Sequence, residues 1–463
     1  MALDIRAILY NLPEVKRPVE KKLSFNVKLK WTIIILVAFF VLANISLYGL
    51  AQNALERFEY LALILGTDFG SVISLGVGPI VTASIILQLL VGSGILNIDT
   101  KTPEGKRYFQ GLQKIAVLFF IIFEAMVFVL MGGLQAVPGY AGIVILQLIF
   151  GGIAIVMMDE VTQKWGFGSG VSLFILAGVA WRLFTGLFQF ISPAGENCLT
   201  NFSNVPCAGN ILIIIQSVIN GAPREALSAV FAIAVTALIF LLVVWAQNLK
   251  VEIPLSYDRL RGYNIKWPLA FFYASVLPVI LVSALAANLQ LFGTLIENWL
   301  GHPTFLGGFS QGQAISGLAF WLSSSNVLEA IIRGSVTNAQ IIQAFTHTIF
   351  YMAFAAIFAV FWVKTSGMDE SSQAKNILSS GLQIPGFRKD ERVLESILKR
   401  YIMPLTIMGG LAIGLLAAIA DLLGALTSGT AILLAVMIMY QLYQNVAQQH
   451  AMDMHPTLRK FMG

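Results

Sequence analysis

Residues able to do chemistry are few in this chain, and they stand apart from one another. Glu104-Gly105-Lys106-Arg107 comes nearest to a phosphate loop, yet it lacks the earlier glycine and the Ser or Thr after lysine that would cradle phosphate and metal. Ser169 sits in Gly166-Phe167-Gly168-Ser169-Gly170, but a nucleophile elbow needs glycine two residues to either side, where Phe167 and Val171 stand. There is no His-Glu-x-x-His helix, and neither His302 nor His347 has sequence neighbours that complete a triad. Catalysis is not expected, and with it no cofactor. Cys198 and Cys207 share one short stretch; without nearby His or further Cys they do not read as a zinc site, which leaves a disulfide or two free thiols.

The remaining pattern is that of a membrane. Of 463 residues, 57% are hydrophobic and only 11% charged, with a mean hydropathy of +0.80, which excludes an ordinary soluble domain. Membrane-length apolar stretches are read at 31–50, 76–95, 115–135, 141–158, 168–190, 226–247, 268–292, 341–363, 402–423 and 430–447. Of the 29 Lys and Arg, all but Arg57, Arg182, Arg224 and Arg333 fall on one side of that topology, so both termini are expected in the cytoplasm and Cys198 and Cys207 outside. The net charge of +5 is therefore one-sided, suited to anionic lipid or an RNA-rich partner. Residues 1–22 lack the apolar core and cleavage site of a signal peptide; Leu3, Ile5, Ile8, Leu9, Leu12 and Val15 among Arg6, Glu14, Lys16 and Arg17 predict an amphipathic interfacial helix, or one packed on a cytoplasmic loop.

One stretch breaks the pattern. The apolar piece Tyr60 to Gly66 is too short to span and lies between Glu56, Glu59 and Asp68; Gly76-Val77-Gly78-Pro79 then opens a new helix through Gly94, with Pro79 in the first turn. A half-length helix folding back into the membrane follows. Irregular backbone at that depth is tolerated only where protein buries it or it lines a water-filled cavity, so a pore or transport pathway is the first inference. Among polar residues inside spans, Glu124, Arg182, Asn44, Gln88, Gln147 and Asn288 stand out, with Glu124 either a coupling carboxylate or a packed, snorkelling group. Asp159 and Asp421 fall at span ends on opposite sides, against an intramembrane aspartate pair. Five spans on each side of an external loop predict two oppositely oriented halves. The divisions are an amphipathic segment 1–30, a first half 31–190, a hinge loop 191–224, a second half 225–447 with basic cytoplasmic loops 248–267 and 364–401, and a tail 448–463.

The segment from Gly76 to Gly94, Phe109-Gln110-Gly111, Gly168-Ser169-Gly170-Val171-Ser172-Leu173-Phe174-Ile175, Val251-Glu252-Ile253-Pro254-Leu255, Ile384-Pro385-Gly386-Phe387-Arg388 and Ser428-Gly429-Thr430-Ala431-Ile432-Leu433-Leu434 together resemble the SecY family of protein-conducting channels, in its archaeal type, along essentially the whole chain. The resemblance implies an all-α polytopic fold of about ten transmembrane helices in two inverted five-helix halves around a central pore. It implies a plug at 55–66, with Leu55, Phe58, Leu61, Leu63, Ile64 and Leu65, and a constriction of Val77, Val81, Val171, Ile175, Ile280 and Leu434. Thr82 and Asn288 correspond to polar positions at a lateral gate opening to lipid, and Arg259, Arg261, Arg388 and Lys389 to positions that dock the ribosome. SecE-type and small beta subunits, signal sequences and nascent polypeptides are the implied partners. A secondary transporter with inverted five-span repeats is the rival reading; it would need intramembrane carboxylates in matching places of both halves.

Overall fold

The computed structural model describes residues 13–19, 23–50, 70–92, 95–98, 102–130, 134–192, 197–200, 202, 205–257, 264–274, 277–310, 313–383 and 390–454. Among them, nine helices are long and apolar enough to cross a membrane. In chain order they are α1 (Phe25–Ala43), α3 (Pro103–Leu130), α4 (Ala141–Trp165), α5 (Gly170–Phe188), α7 (Pro223–Gln247), α8 (Leu277–Leu300), α11 (Asn338–Thr365), α13 (Glu391–Leu422) and α14 (Gly429–Met454). Between α1 and α3 lies α2 (Gly78–Gly92), at 15 residues shorter than the others. Large apolar side chains stand exposed around the outside, Phe119, Phe150, Leu241 and Phe345 each by 60% or more, as a hydrocarbon solvent permits and water does not.

Several helices outrun their apolar stretches. α3 runs from Pro103 and α13 from Glu391, a full polar turn or more before the hydrophobic run, because a helix that has satisfied its backbone inside the bilayer continues at little cost into water. The first ends at Ala43 instead of continuing to 50: Asn44 turns its amide onto the Phe40 carbonyl, and residues 45–47 pair with 70–72. The stretch 191–224 is not simply a polar loop, for it carries the apolar helix α6 (Asn210–Ile219) packed on α5 and α7. Residues 13–19 of the expected N-terminal helix are not helical; Pro13 and Pro18 bracket a strap that lies on α3 at Lys114 and on the end of α4.

The basic loop 248–267 is a β-hairpin. β1 (Lys250–Tyr257) pairs antiparallel with β2 (Asn264–Ala270), and the far end of β1 also pairs with β5 (Leu382–Gln383). β3 (Gly308–Ser310) and β4 (Gln313–Ser316) form a second small sheet followed by the short α9 (Gly317–Leu322) and α10 (Val327–Arg333), while α12 (Glu370–Ser379) fills part of the second basic loop. These are appendages on a helical body. Its largest core joins α7, α8, α11, α13 and α14; a second joins α3 and α4 with Ala83 of α2 and Ala287 of α8; a third joins α1, α4 and α5. Close approach of α11 to α13 rests on glycine: a Cβ at Gly410 would lie 2.9 Å from the Ala356 Cα, and one at Gly414 as close to the Met352 Cα.

Candidate functional site: an apolar constriction and its flanks

Residues 70–77 lead into α2 as a chain of turns held from outside. The Leu47 amide donates to the Gly70 carbonyl at 2.8 Å and the Val72 amide to the Ile45 carbonyl at 2.9 Å. Gly76 has φ of +56°, a conformation that glycine adopts without cost, and the Val81 amide then donates to the Val77 carbonyl at 3.0 Å. Val77 and Val81 are thus one helical turn apart. At α5, the Ser169 hydroxyl accepts from the Ser172 amide, so Val171 and Ile175 likewise lie one turn apart.

These positions fall in two cores that share Ile175 at their edges. Val81, Val171 and Ile175 pack against the cluster that contains buried Val77, with Ile73, Ile155 and Phe174 behind it. Ile175 and Ile280 also pack on the second-half core that contains Leu434. Ile175 therefore touches both cores, Val77, Val81 and Val171 lying at the one and Ile280 and Leu434 at the other. Val77 and Leu434 are buried, whereas Val81, Val171, Ile175 and Ile280 keep part of their surface free. Such a surface offers no ligand to an ion and no hydrogen bond to water.

Thr82, one residue beyond Val81, hydrogen-bonds the Glu124 carboxyl of α3, and Gln113 of α3 donates to the Ser84 hydroxyl at 2.7 Å. Sequence alone found no partner for Glu124. A one-residue offset from the apolar face was the only signal, since it turns Thr82 towards a neighbouring helix. Asn288 is half-buried on α8 beside Ala287, which shares a core with Ala83 of α2. Between α2, α3 and α11 runs a crevice of about 260 Å³ lined by Gln88, Val91, Lys106, Gln110, Trp362 and Thr365 among others.

Two further groups were missed by sequence reasoning. His347 lies with Nε2 3.5 Å from Asp421 Oδ2 and Nδ1 2.7 Å from the Leu322 carbonyl, both side chains buried. The strap at 13–19 is held ionically: Lys114 Nζ is 2.9 Å from both Glu14 and Glu160, Lys164 Nζ bridges the same two acids, and the Val15 amide donates to Glu160 at 3.0 Å. Lys114 holds the exposed Glu14 carboxyl below the usual carboxylate range, Lys164 adding to it against the cost of partial burial.

Cys198 and Cys207 are joined by a disulfide, with Cα atoms 5.3 Å apart, packed under Val205 and Leu212. The plug positions Leu55, Phe58, Leu61, Leu63, Ile64 and Leu65 lie outside the described residues, as do Arg259, Arg261, Arg388 and Lys389. No group of three His, Cys, Asp or Glu placed to hold a metal occurs among the described residues.

Comparison with known proteins agrees along the chain. The family model described as SecY matches residues 71–443. A protein translocase subunit SecY from Methanothermobacter thermautotrophicus is 44% identical over 457 residues, covering 98% of this chain and 97% of the relative. A solved structure described as a protein-conducting channel superposes with a TM-score of 0.82 at 38% identity, over 97% of this chain and 98% of that one. Sec61 in the canine ribosome-channel complex from the endoplasmic reticulum gives 0.79 at 36% identity, with the same coverage.

Proposed function

The chain belongs to the SecY family, and from that premise we propose that it is the central pore subunit of a protein translocation channel, passing unfolded polypeptides across the membrane and releasing apolar segments sideways into lipid. It is a multi-pass membrane protein of a channel, and it acts without catalysis. The observation that supports the reading is that Val77, Val81 and Val171 lie at one core, Ile280 and Leu434 at another, and Ile175 packs on both. The transporter reading has no such support, because Asp159 and Asp421, the buried carboxylates nearest to matching places, are taken up by helix amides.

In this reading the six side chains form a gasket. Val and Ile are stiff at the first side-chain torsion, so they close a neck reproducibly yet part when a chain pushes through. Water in the neck loses hydrogen bonds and an ion loses hydration, so the resting barrier needs no charge. The segment 55–66 plugs the external side. Lateral opening separates α2 and α3 from α8 and α11, and breaks or slides the polar contacts around Thr82, Glu124 and Asn288. The protein lies in the cell membrane with both termini cytoplasmic, beside SecE-type and small beta subunits, and its basic loops dock the ribosome; the similar canine Sec61 is described in a ribosome-channel complex.

The test combines capture and leak. Crosslinkers placed at Val81 and Ile280 should capture a ribosome-bound nascent chain in the reconstituted channel. The V81N/I280N variant should raise ion conductance in planar bilayers without loss of translocation, and more so with 55–66 deleted. A double Asn variant as ion-tight as the parent, even without 55–66, would show that these residues do not line the barrier.

A further inference from the structure

Two buried aspartates do the same thing in the two halves of the molecule. Asp159, near the end of α4, accepts from the Val171 amide at 3.0 Å through Oδ1 and from the Gly170 amide, both in the first turn of α5; its Oδ2 accepts from Gln163 Nε2 at 2.8 Å. Asp421, near the end of α13, accepts from the Gly429 amide at 2.5 Å through Oδ1, at the first residue of α14; its Oδ2 faces His347. In each half one carboxylate oxygen is spent on the next helix; the other accepts from Gln163 in the first half, and in the second it faces His347 at 3.5 Å without a hydrogen bond.

The match extends to what surrounds them. A Cβ on Gly170 would lie 2.6 Å from the Asp159 Cα, and one on Gly429 would collide with the Ala417 carbonyl and lie 2.6 Å from the Ala420 Cβ, so in both halves the helix opens against the backbone of the preceding one. A serine precedes each glycine and caps the turn, Ser169 accepting from the Ser172 amide at 3.3 Å and Ser428 from the Ala431 amide at 3.4 Å. Ser169-Gly170-Val171-Ser172-Leu173-Phe174-Ile175 and Ser428-Gly429-Thr430-Ala431-Ile432-Leu433-Leu434 then run in parallel, each ending on a constriction residue five places after its glycine.

We propose that Asp159 and Asp421 are positioning residues for the constriction, each clamping the first turn of a pore helix at the depth that delivers Ile175 or Leu434 to the ring. The inference rests on the constriction proposed above. Five residues of helix rise about 7.5 Å, so the depth of either side chain follows directly from where its glycine is held. The first amides of a helix have no partner within it, and lipid supplies none, so a carboxylate satisfies them and complements the positive end of the helix dipole. Without it, the helix end slides or frays and the ring member leaves its level. By alternation of the spans α5 and α14 enter from opposite faces, so the neck is set from both sides by one device.

The experiment measures ion conductance of the channel complex as isolated from its membrane, in planar bilayers, with thermal stability recorded alongside. D159L and D421L remove the acceptor and keep a branched side chain; losing a charged hydrogen bond should shift the neck towards its parted state and raise the leak by about tenfold or more. D159N and D421N retain an oxygen for the helix amide and should stay at the parent's conductance, a rescue that a general loss of stability would not give. If a Leu form does not accumulate as folded channel, D159E or D421E replaces it, since the extra methylene pushes the carboxylate into the helix end and should also leak. V81N/I280N serves as the control. Leak in that control with tight, folded Leu or Glu variants overturns the positioning role and leaves the ring standing, and so does equal leak in the Asn and Leu forms. A tight control counts first against the ring itself.

Discussion

Glu14 illustrates how a single exposed side chain ties a terminus to the membrane body. Its carboxylate reaches Lys114 on α3 and Lys164 on α4, and those contacts lower its pKa. A lowered carboxylate contributes stability that is present above the unfolded value and lost as pH falls through the folded one. Half-exposure and salt screening keep that contribution small, so it shows in the position of the strap and not in global unfolding. A spin label at exposed Val19 should therefore become more mobile below the ordinary value of 4.5, and E14Q should show the mobile spectrum already at neutral pH. Equal mobility of parent and variant at neutral pH would remove Glu14 as the anchor. The disulfide leaves no free cysteine among the described residues to compete for the label.

At the scale of elements, small residues decide how near the helices come. Gly151 and Gly152 of α4 are buried; a Cβ on Gly152 would lie 2.8 Å from Ile121 of α3, and one on Gly151 would run into the Val72 carbonyl. Val72 belongs to the turns that set the start of α2, so α4 supports the segment from which Val77 and Val81 extend. Backbone cannot yield as a flexible side chain does. G151A should thus cost about 1–3 kcal/mol, the usual range for overpacking, and lower the thermal midpoint in detergent. An unchanged midpoint would mean that the turn moves aside freely. Helix lengths were legible only in part: hydropathy located every long span, but α3 and α13 begin in polar sequence that hydropathy ignores, and α1 stops where the Asn44 side chain and strand-like pairing take over its last carbonyls.

On the scale of the whole molecule, the two basic loops leave from one place. The end of β1 at Ser256 and Tyr257 pairs with Gln383 and Leu382 of β5, so the residues flanking 258–263 and 384–389 meet at one edge of a small sheet. That juxtaposition supports the docking face proposed above, in which guanidinium groups of Arg259, Arg261 and Arg388 would meet ribosomal RNA phosphates. R259E/R261E/R388E should weaken ribosome binding and flatten its dependence on the logarithm of salt concentration by about 2 to 3 units of slope, while leaving the fold intact. An affinity unchanged across a salt series would take these loops out of the contact.

Sequence by itself determined the class of molecule, the approximate spans, the sidedness of charge and the family, because each of those depends on residue type summed along a segment or on contiguous motifs. The resemblance named Val77, Val81, Val171 and Ile175, and their spacing puts each pair one turn apart, since helical spacing is local. That Ile175 also packs on the core of Ile280 and Leu434 depends on helices more than a hundred residues apart, and only the tertiary structure decided it. The partners of Glu124 and His347 were hidden for the same reason: Thr82 and Asp421 lie on other helices. Asp159 and Asp421 read from sequence as two unrelated acids at span ends. Their equivalence lies in which helix amides they face, a relation that no spacing along the chain records.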